Sequence, residues 1–346
     1  MPATRKEKIG MKEIAEAAGV SVMTVSAALS GGGRVSDARK REIISLAQRM
    51  GYRRNAAARL LKSKRVADLG LLIFEKEALI RENAVFMDMT VQFMRECTRN
   101  NIHFQLEWFD CYRNREELPQ MLTSGLVGGL LIAGAPANAA KRFIEKDLAL
   151  PYVALGENGR FSVTFDSDDR MRQAIYYLAS LGHENIGLVN GPSELGAFRH
   201  YREVFDATLK ELSLLRPDTL YIENHPADDF QTEVNQHLAC FLGVPNRPTA
   251  LLVHSGLFTK ALISGLFRAG VRVPEDVSVI CYETVDWEVE KFVPSITAIE
   301  FRLEDLVVAG VRMVRELLDG KGVLHPNFTV SPAFTKRGTV CPPKSF

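Results

Sequence analysis

Short apolar runs recur along most of this chain: Leu69–Phe74, Gly129–Ala133, Tyr152–Leu155, Ile186–Asn190, Ala250–His254 and Val277–Cys281. Amphipathic stretches such as Phe86–Asn100, Asp169–Leu181, Phe198–Leu212 and Thr259–Ala269 lie between them. Apolar runs without alternation suit strands buried on both faces, and such strands separated by helices build parallel βαβ units. From residue 66 onward the chain is therefore expected to be α/β, with two doubly wound parallel sheets fitting the count better than one. At 346 residues it exceeds one ordinary compact domain.

The first 65 residues follow another pattern. They hold 15 Lys/Arg against 5 Asp/Glu, while the rest of the chain holds 28 against 37, so a net charge of +1 hides a basic head on an acidic body. That asymmetry points to a polyanion at one end only. Met11-Lys12-Glu13-Ile14-Ala15-Glu16-Ala17-Ala18 puts Met11, Ile14, Ala15 and Ala18 on one helical face. Gly19-Val20-Ser21 ends that helix and starts another, Val22 to Leu29, with Val25, Ala28 and Leu29 inward. After Gly31-Gly32-Gly33, Ser36 caps a third helix to about Met50, with Ile43, Ile44, Leu46, Ala47 and Met50 inward. Two short helices joined by a Gly-containing turn and braced by a third form a helix-turn-helix.

In that architecture the second helix presents its first residues to base edges in the major groove of double-stranded DNA. Here these are Val22 and Met23, with Ala27 a turn later. Ser21, Thr24 and Tyr52 can donate to phosphate oxygens, and Lys12, Arg34 and Arg54 supply charge near the backbone. A recognition helix without Arg, Lys, Asn or Gln makes no bidentate contact to guanine or adenine, whereas Val22, Met23 and Ala27 can pack on thymine methyls. More of the specificity is then expected from Arg34, groove shape and the segment Tyr52 to Arg65. That segment favours helix but is too short to be stable without a partner.

Together these residues resemble the lac repressor family of bacterial regulators. The resemblance runs through Met11–Ser21 with Thr24-Val25-Ser26, Arg34-Val35-Ser36, Gly51-Tyr52, Asn55, Ala58-Arg59 and Leu61-Lys62. It continues through Gly182-His183, Ile186, Gly191-Pro192, Arg199, Val273–Ile280 and Arg337-Gly338-Thr339. It implies a homodimer on a palindromic operator, with residues 1–52 as the helix-turn-helix domain, 53–66 as hinge helix and linker, and 67–346 as the body. Asn55, Ala58, Arg59 and Leu61 join the DNA contacts on this basis, with Leu61 wedged between base pairs of the minor groove; packing of Leu61 on the body is the alternative.

The body resembles the two-lobed periplasmic sugar-binding fold, with an N-lobe of about 67–163 and 295–325 and a C-lobe of about 164–294 and 326–346. A small-molecule effector, carbohydrate or related, is implied between the lobes. Arg199 stands where the family pairs an arginine with effector oxygens, and Asp166 and Glu283 remain as carboxylates for hydroxyl groups. Several positions depart from the family: Ser255-Gly256 replaces an Asn-Asp pair, Glu283 an Asp, Arg170 a Gly and Ala27 the recognition-helix Arg. Those departures weaken the case for an ordinary free sugar and leave a larger ligand, an anionic one or none at all as the alternatives. Phe74, Phe86 and Trp287 are stacking candidates, with plain core as the alternative reading.

Other classes fit less well. Cys97, Cys111, Cys240, Cys281 and Cys341 are scattered and form no C-x-x-C pair, so small apolar residues are expected rather than metal ligands or disulfides. No stretch reaches membrane-spanning length, and the basic N-terminus lacks the apolar run of a secretory signal, which speaks for the cytosol and against a periplasmic binding protein. No G-x-S-x-G, Walker loop or helix-opening G-x-G-x-x-G occurs, so neither catalysis nor a cofactor is expected. Repression or activation would follow from operator position rather than from any residue.

Overall fold

Three helices build the head: α1 (Met11–Ala18), α2 (Val22–Ser30) and α3 (Asp37–Arg49). The structure, a computed structural model, describes residues 11–30, 35–50, 68–77, 84–191, 193, 196–223 and 230–344. It divides into two units, Met1–Arg65 and Val66–Phe346. In the first, Ile14, Ala15, Val25, Ala28, Ile43 and Ala47 form the core, with Met11, Ala18, Val20, Val35 and Met50 packed around it. The turn after α1 closes as a Schellman motif: Gly19, at φ +62°, donates to the Glu16 carbonyl and Val20 to that of Ala15. Arg39 adds a cap that the sequence did not reveal, donating to the Ala18 carbonyl at 2.8 Å. Ile44, expected inside, is exposed. Ile43 and Ala47 share the buried face one turn apart, and the next residue is rotated off it by about 100°.

The second unit runs β1 (Leu69–Phe74), α4 (Ala84–Arg99), β2 (Phe104–Phe109), α5 (Gln120–Thr123), β3 (Gly129–Ala133), α6 (Asn138–Lys146), β4 (Tyr152–Leu155) and β5 (Ser162–Phe165). It continues through α7 (Asp168–Ser180), β6 (Ile186–Asn190), α8 (Gly196–Glu211), β7 (Tyr221–Glu223), α9 (Phe230–Gly243), β8 (Ala250–His254), α10 (Gly256–Arg268) and β9 (Ser278–Thr284). It ends with α11 (Asp286–Val289), β10 (Thr297–Glu300), α12 (Leu303–Leu318), β11 (Asn327–Val330) and β12 (Ala333–Thr335). Two six-stranded sheets result, ordered β11-β5-β4-β3-β1-β2 and β12-β10-β9-β8-β6-β7, parallel but for the antiparallel pair β10–β12.

All six residues of β1 are buried, because both faces of its sheet carry helices. Leu69, Leu71 and Ile73 pack with Phe93 of α4 and Val307, Val311 and Val314 of α12. Leu72 and Phe74 point the other way, onto Met121, Leu122 and Ile144. In the second sheet Leu251 and Val253 meet α10, while Leu252 and Ile280 join the core formed with α7 and α8. Burial pushes the Cys97 and Cys281 thiols up to about 12, which makes both inert apolar residues.

The lobe boundaries differ from those expected. Residues 297–300, expected in the N-lobe, form β10 beside β9 in the second sheet, with Thr297 opposite Ile280. Residues 327–330, expected in the C-lobe, form β11 beside β5, with Asn327 opposite Ser162. These strands are too short to declare themselves by pattern, and long-range pairing decides their place. The chain thus crosses between sheets after β5, after β10 and after β11. At the first two crossings Phe165 and Phe301 stack in parallel with centroids 4.1 Å apart, and Arg170, the residue in place of the family glycine, donates to the Pro332 carbonyl at the third.

Candidate nucleic-acid interface and ligand crevice

At the start of α2 the Ser21 Oγ accepts the Thr24 backbone N–H at 3.1 Å, the N-cap bond that begins the helix. The two hydroxyls also pair with each other at 2.9 Å, which still leaves one O–H free to donate outward. With the cap closed, Val22 and Met23 project from the first turn, 46% and 83% exposed, while Ala27 is half-buried. Lys12 is exposed on α1. Arg34, Tyr52, Asn55, Ala58, Arg59 and Leu61 lie outside the described residues.

In doubly wound sheets ligands bind beyond the carboxyl ends of the strands. There the C-lobe carries a linked polar wall. Glu283, near the end of β9 and at φ +55°, accepts a hydrogen bond from the Tyr201 hydroxyl and lies 2.8 Å from His254 Nε2. Burial, and then the Glu283 charge, raises the Tyr201 phenol well above its usual range, so it stays protonated and donates. The His254 ring meets Phe198 and Tyr282 edge to face, at 4.6 and 5.6 Å between centroids. Beneath it the buried Tyr282 hydroxyl donates to Asn190 Oδ1 at 2.6 Å, and Asn190 Nδ2 donates to the Phe198 carbonyl at 2.7 Å. The wall thus ties the ends of β6, β8 and β9 to the start of α8.

Of the expected effector residues, the structure brings Glu283 and Ser255 together at this wall. Ser255, at φ +66°, donates its backbone N–H to the Tyr282 carbonyl at 3.0 Å, and its own carbonyl accepts from Thr259. Arg199 is exposed in the first turn of α8 and donates to the Ser193 carbonyl at 3.2 Å. Asp166 is exposed at the first crossing, where its backbone N–H donates to Val330.

The aromatic candidates fall elsewhere. Phe74 is core rather than a stacking face, buried edge-on against Phe109. Phe86 is half-buried and meets Trp108 edge to face at 6.1 Å. Trp287 is exposed and lines a groove of about 470 Å³ with Met87 and Val91 of α4 and Leu257, Lys260 and Glu288. None of the other expected effector residues lines that groove. In it the buried Glu288 pairs with Lys260 at 3.2 Å and accepts from the Thr284 hydroxyl at 3.0 Å. Any Cβ at position 256 would run into Glu288 and Thr284, which gives Gly256 a physical reason.

Residues 10–55 match the family described as bacterial regulatory proteins of the lacI family, and residues 175–340 match the periplasmic binding protein-like domain. A lacI-family helix-turn-helix thus heads a periplasmic binding protein-like body. Among relatives, the HTH-type transcriptional regulator AglR of Rhizobium meliloti is 27% identical over 90% of this chain and 88% of its own length. The HTH-type transcriptional repressor PurR of Photobacterium profundum is 25% identical over 95% of this chain and 98% of its own. The crystal structure of the lac repressor dimer bound to operator and the anti-inducer ONPF superposes with a TM-score of 0.78 at 20% identity, covering 97% of this chain and all of that one. At that identity the likeness speaks for the fold.

As site residues, sequence reasoning passed over His254, Tyr201, Tyr282 and Asn190. His254 and Asn190 end apolar runs, and a polar residue closing a buried parallel strand is the signal that marks such positions. The tyrosines carried no comparable signal, since in a helix or strand a tyrosine reads as core. Among the described residues no helix is long and apolar enough to cross a membrane, and no three His, Cys, Asp or Glu group to hold a metal ion.

Proposed function

We propose that this chain is a lacI-family regulator, a sequence-specific DNA-binding transcriptional repressor that binds a palindromic operator as a homodimer. Its operator affinity is set by a small-molecule effector held between the two lobes of the body. The observation that carries this reading is the exposure of Val22 and Met23 at the capped start of the second helix, within the stretch that matches the lacI family. PurR is by name a repressor, and the superposed lac repressor is a dimer on operator DNA with an anti-inducer. Phosphate contacts from Lys12, Ser21, Thr24, Arg34 and Tyr52 and a minor-groove wedge at Leu61 belong to the reading, as does an effector contact at Arg199 and Glu283. Catalysis, cofactors and metal do not, and the place of action is the cytoplasm.

Selection of duplexes from a random pool with the full-length chain, followed by titration at two salt concentrations, tests it. A palindromic consensus is expected, with affinity falling roughly 10³–10⁵-fold between 50 and 200 mM salt if six to ten phosphates are contacted. Enrichment of no palindrome, or an affinity indifferent to salt, would reject the reading.

A further inference from the structure

With an effector held between the lobes, the reading on which this inference rests, its contacts on the C-lobe depend on what the polar wall turns outward. The wall has spent its strongest donors on itself. The Tyr201 hydroxyl donates to Glu283, the Tyr282 hydroxyl to Asn190 Oδ1 at 2.6 Å, and Asn190 Nδ2 to the Phe198 carbonyl at 2.7 Å. Tyr201, Tyr282 and Asn190 are all buried. None of these donors can be turned to a ligand without leaving an acceptor of the wall unpaired, which is costly away from water. Ser255 carries a hydroxyl that serves either way.

His254 is placed differently. It closes β8 at the end that faces the crevice, and its side chain is 20% exposed. A carboxylate only accepts, so the 2.8 Å contact with Glu283 Oε2 is a bond donated by Nε2–H. An uncharged imidazole that donates from Nε2 carries its lone pair at Nδ1. That nitrogen has no hydrogen-bond partner among the described residues and is open to solvent. Phe198 and Tyr282 meet the ring edge to face at 4.6 and 5.6 Å while Glu283 holds its other nitrogen, so three contacts fix where the lone pair points. Glu283, 18% exposed, keeps spare acceptor capacity beside it, since each carboxylate oxygen can accept twice. Facing the crevice, these two side chains therefore offer acceptors. A carboxylate or phosphate arriving there meets a lone pair and a negative charge, whereas a hydroxyl finds a place to donate.

We infer that His254 contacts the effector, its Nδ1 accepting a hydrogen bond from a hydroxyl of an uncharged, polyhydroxylated ligand. Of the ligands that the sequence leaves open, an anion is set aside at this wall. The contact also carries specificity. A site built to accept a hydroxyl proton rejects the analogue that lacks the hydroxyl more strongly than an apolar pocket rejects a missing methylene. Protonation would turn Nδ1 into a donor, so a preference for anions is the signature of the opposite arrangement.

The test uses the full-length chain and matched probes by calorimetry at neutral pH: D-glucose with D-glucuronate and glucose 6-phosphate, D-galactose with D-galacturonate, and D-ribose with ribose 5-phosphate. At least one neutral sugar should bind about tenfold or more tightly than its anionic counterpart. Monodeoxy derivatives of that sugar then locate the hydroxyl: loss of one should weaken binding to the wild type about tenfold and leave binding to His254→Phe unchanged. His254→Gln, whose amide can donate to Glu283 and accept from the ligand, should keep a reduced penalty for the same hydroxyl, and it serves if the phenylalanine disturbs the fold. An anion that binds as well as its neutral sugar, or a deoxy penalty of equal size in wild type and both variants, would overturn the inference. In either case a compound that binds and shifts operator affinity leaves the effector reading standing. If no compound in the panel binds, the hydroxyl contact falls, and the ligand-free operator titration reports separately on DNA binding.

Discussion

On α2, Val22 and Met23 project from a turn whose polar contacts are local, Ser21 to Thr24 three residues on. On the C-lobe wall, Glu283 reaches Tyr201 across 82 residues and His254 across 29, and Tyr282 reaches Asn190 across 92. The first surface is a pair of exposed apolar side chains on a helix whose start is fixed by local bonds. The second is a network in which every polar atom fixes the next, so its members act together rather than one by one. A reading helix of the first kind exchanges specificity by swapping a side chain. A ligand wall of the second kind resists single changes, and substitutions in it should be strongly non-additive.

The comparison breaks most sharply if the scaffold is removed from under the reading face. Ile14 is buried at the centre of the three-helix core, away from the exposed side of α2. Ile14→Ala should cost about 2–5 kcal/mol of the head's stability and abolish operator binding, with effector binding by the body retained. Retained operator affinity at unchanged head stability would show that packing does not hold the face. Next in size is the wall. Tyr282→Phe removes one buried donor while Gly191 still donates to Asn190 Oδ1, so about 1–3 kcal/mol of stability should go. In a cycle with Asn190→Ala the two losses should miss additivity by about 0.5 kcal/mol or more. Chemical denaturation reads both, and additive losses would mean that the wall is a set of independent contacts.

The same contrast explains what the sequence made legible. In the head, a 3.6-residue period, a glycine turn and a serine cap fall within a few residues of one another, so helix spans and most of the core came through; Ile44 is exposed, Leu46 is half-buried outside the core, and the Leu29 side chain lies outside the described residues. In the body, the six apolar runs marked strands that are buried on both faces. Short edge strands such as β10 and β11 did not stand out, because their membership depends on which distant strand they pair with. The wall was the least legible of all. Glu283 and Ser255 could be singled out by resemblance, but Tyr201, Asn190 and His254 acquire their roles only when the carboxyl ends of β6, β8 and β9 are brought together. Phe74 misled for the same reason in reverse: it ends a strand, as His254 does, yet points to the helix-covered face rather than to the crevice.

The smallest effect sharpens the head's side of the comparison. Met23 is the most exposed apolar side chain of α2 among the described residues, and burying a methyl or methylene is worth about 0.8 kcal/mol. If Met23 packs on a thymine methyl, replacing that thymine by uracil in the selected operator should weaken binding by about 1 kcal/mol, roughly fivefold, at one position of each half-site. Met23→Ala should weaken the thymine operator by a similar amount and leave the uracil operator nearly unaffected, since the partner of the lost contact is already gone. Affinity for random duplexes should not move, because phosphate contacts carry it. A uracil penalty of the same size in wild type and variant would place the methyl contact on another side chain. Lack of any penalty along the half-site would instead transfer specificity to groove shape, with α2 acting as a wedge that fits the groove rather than one that reads it.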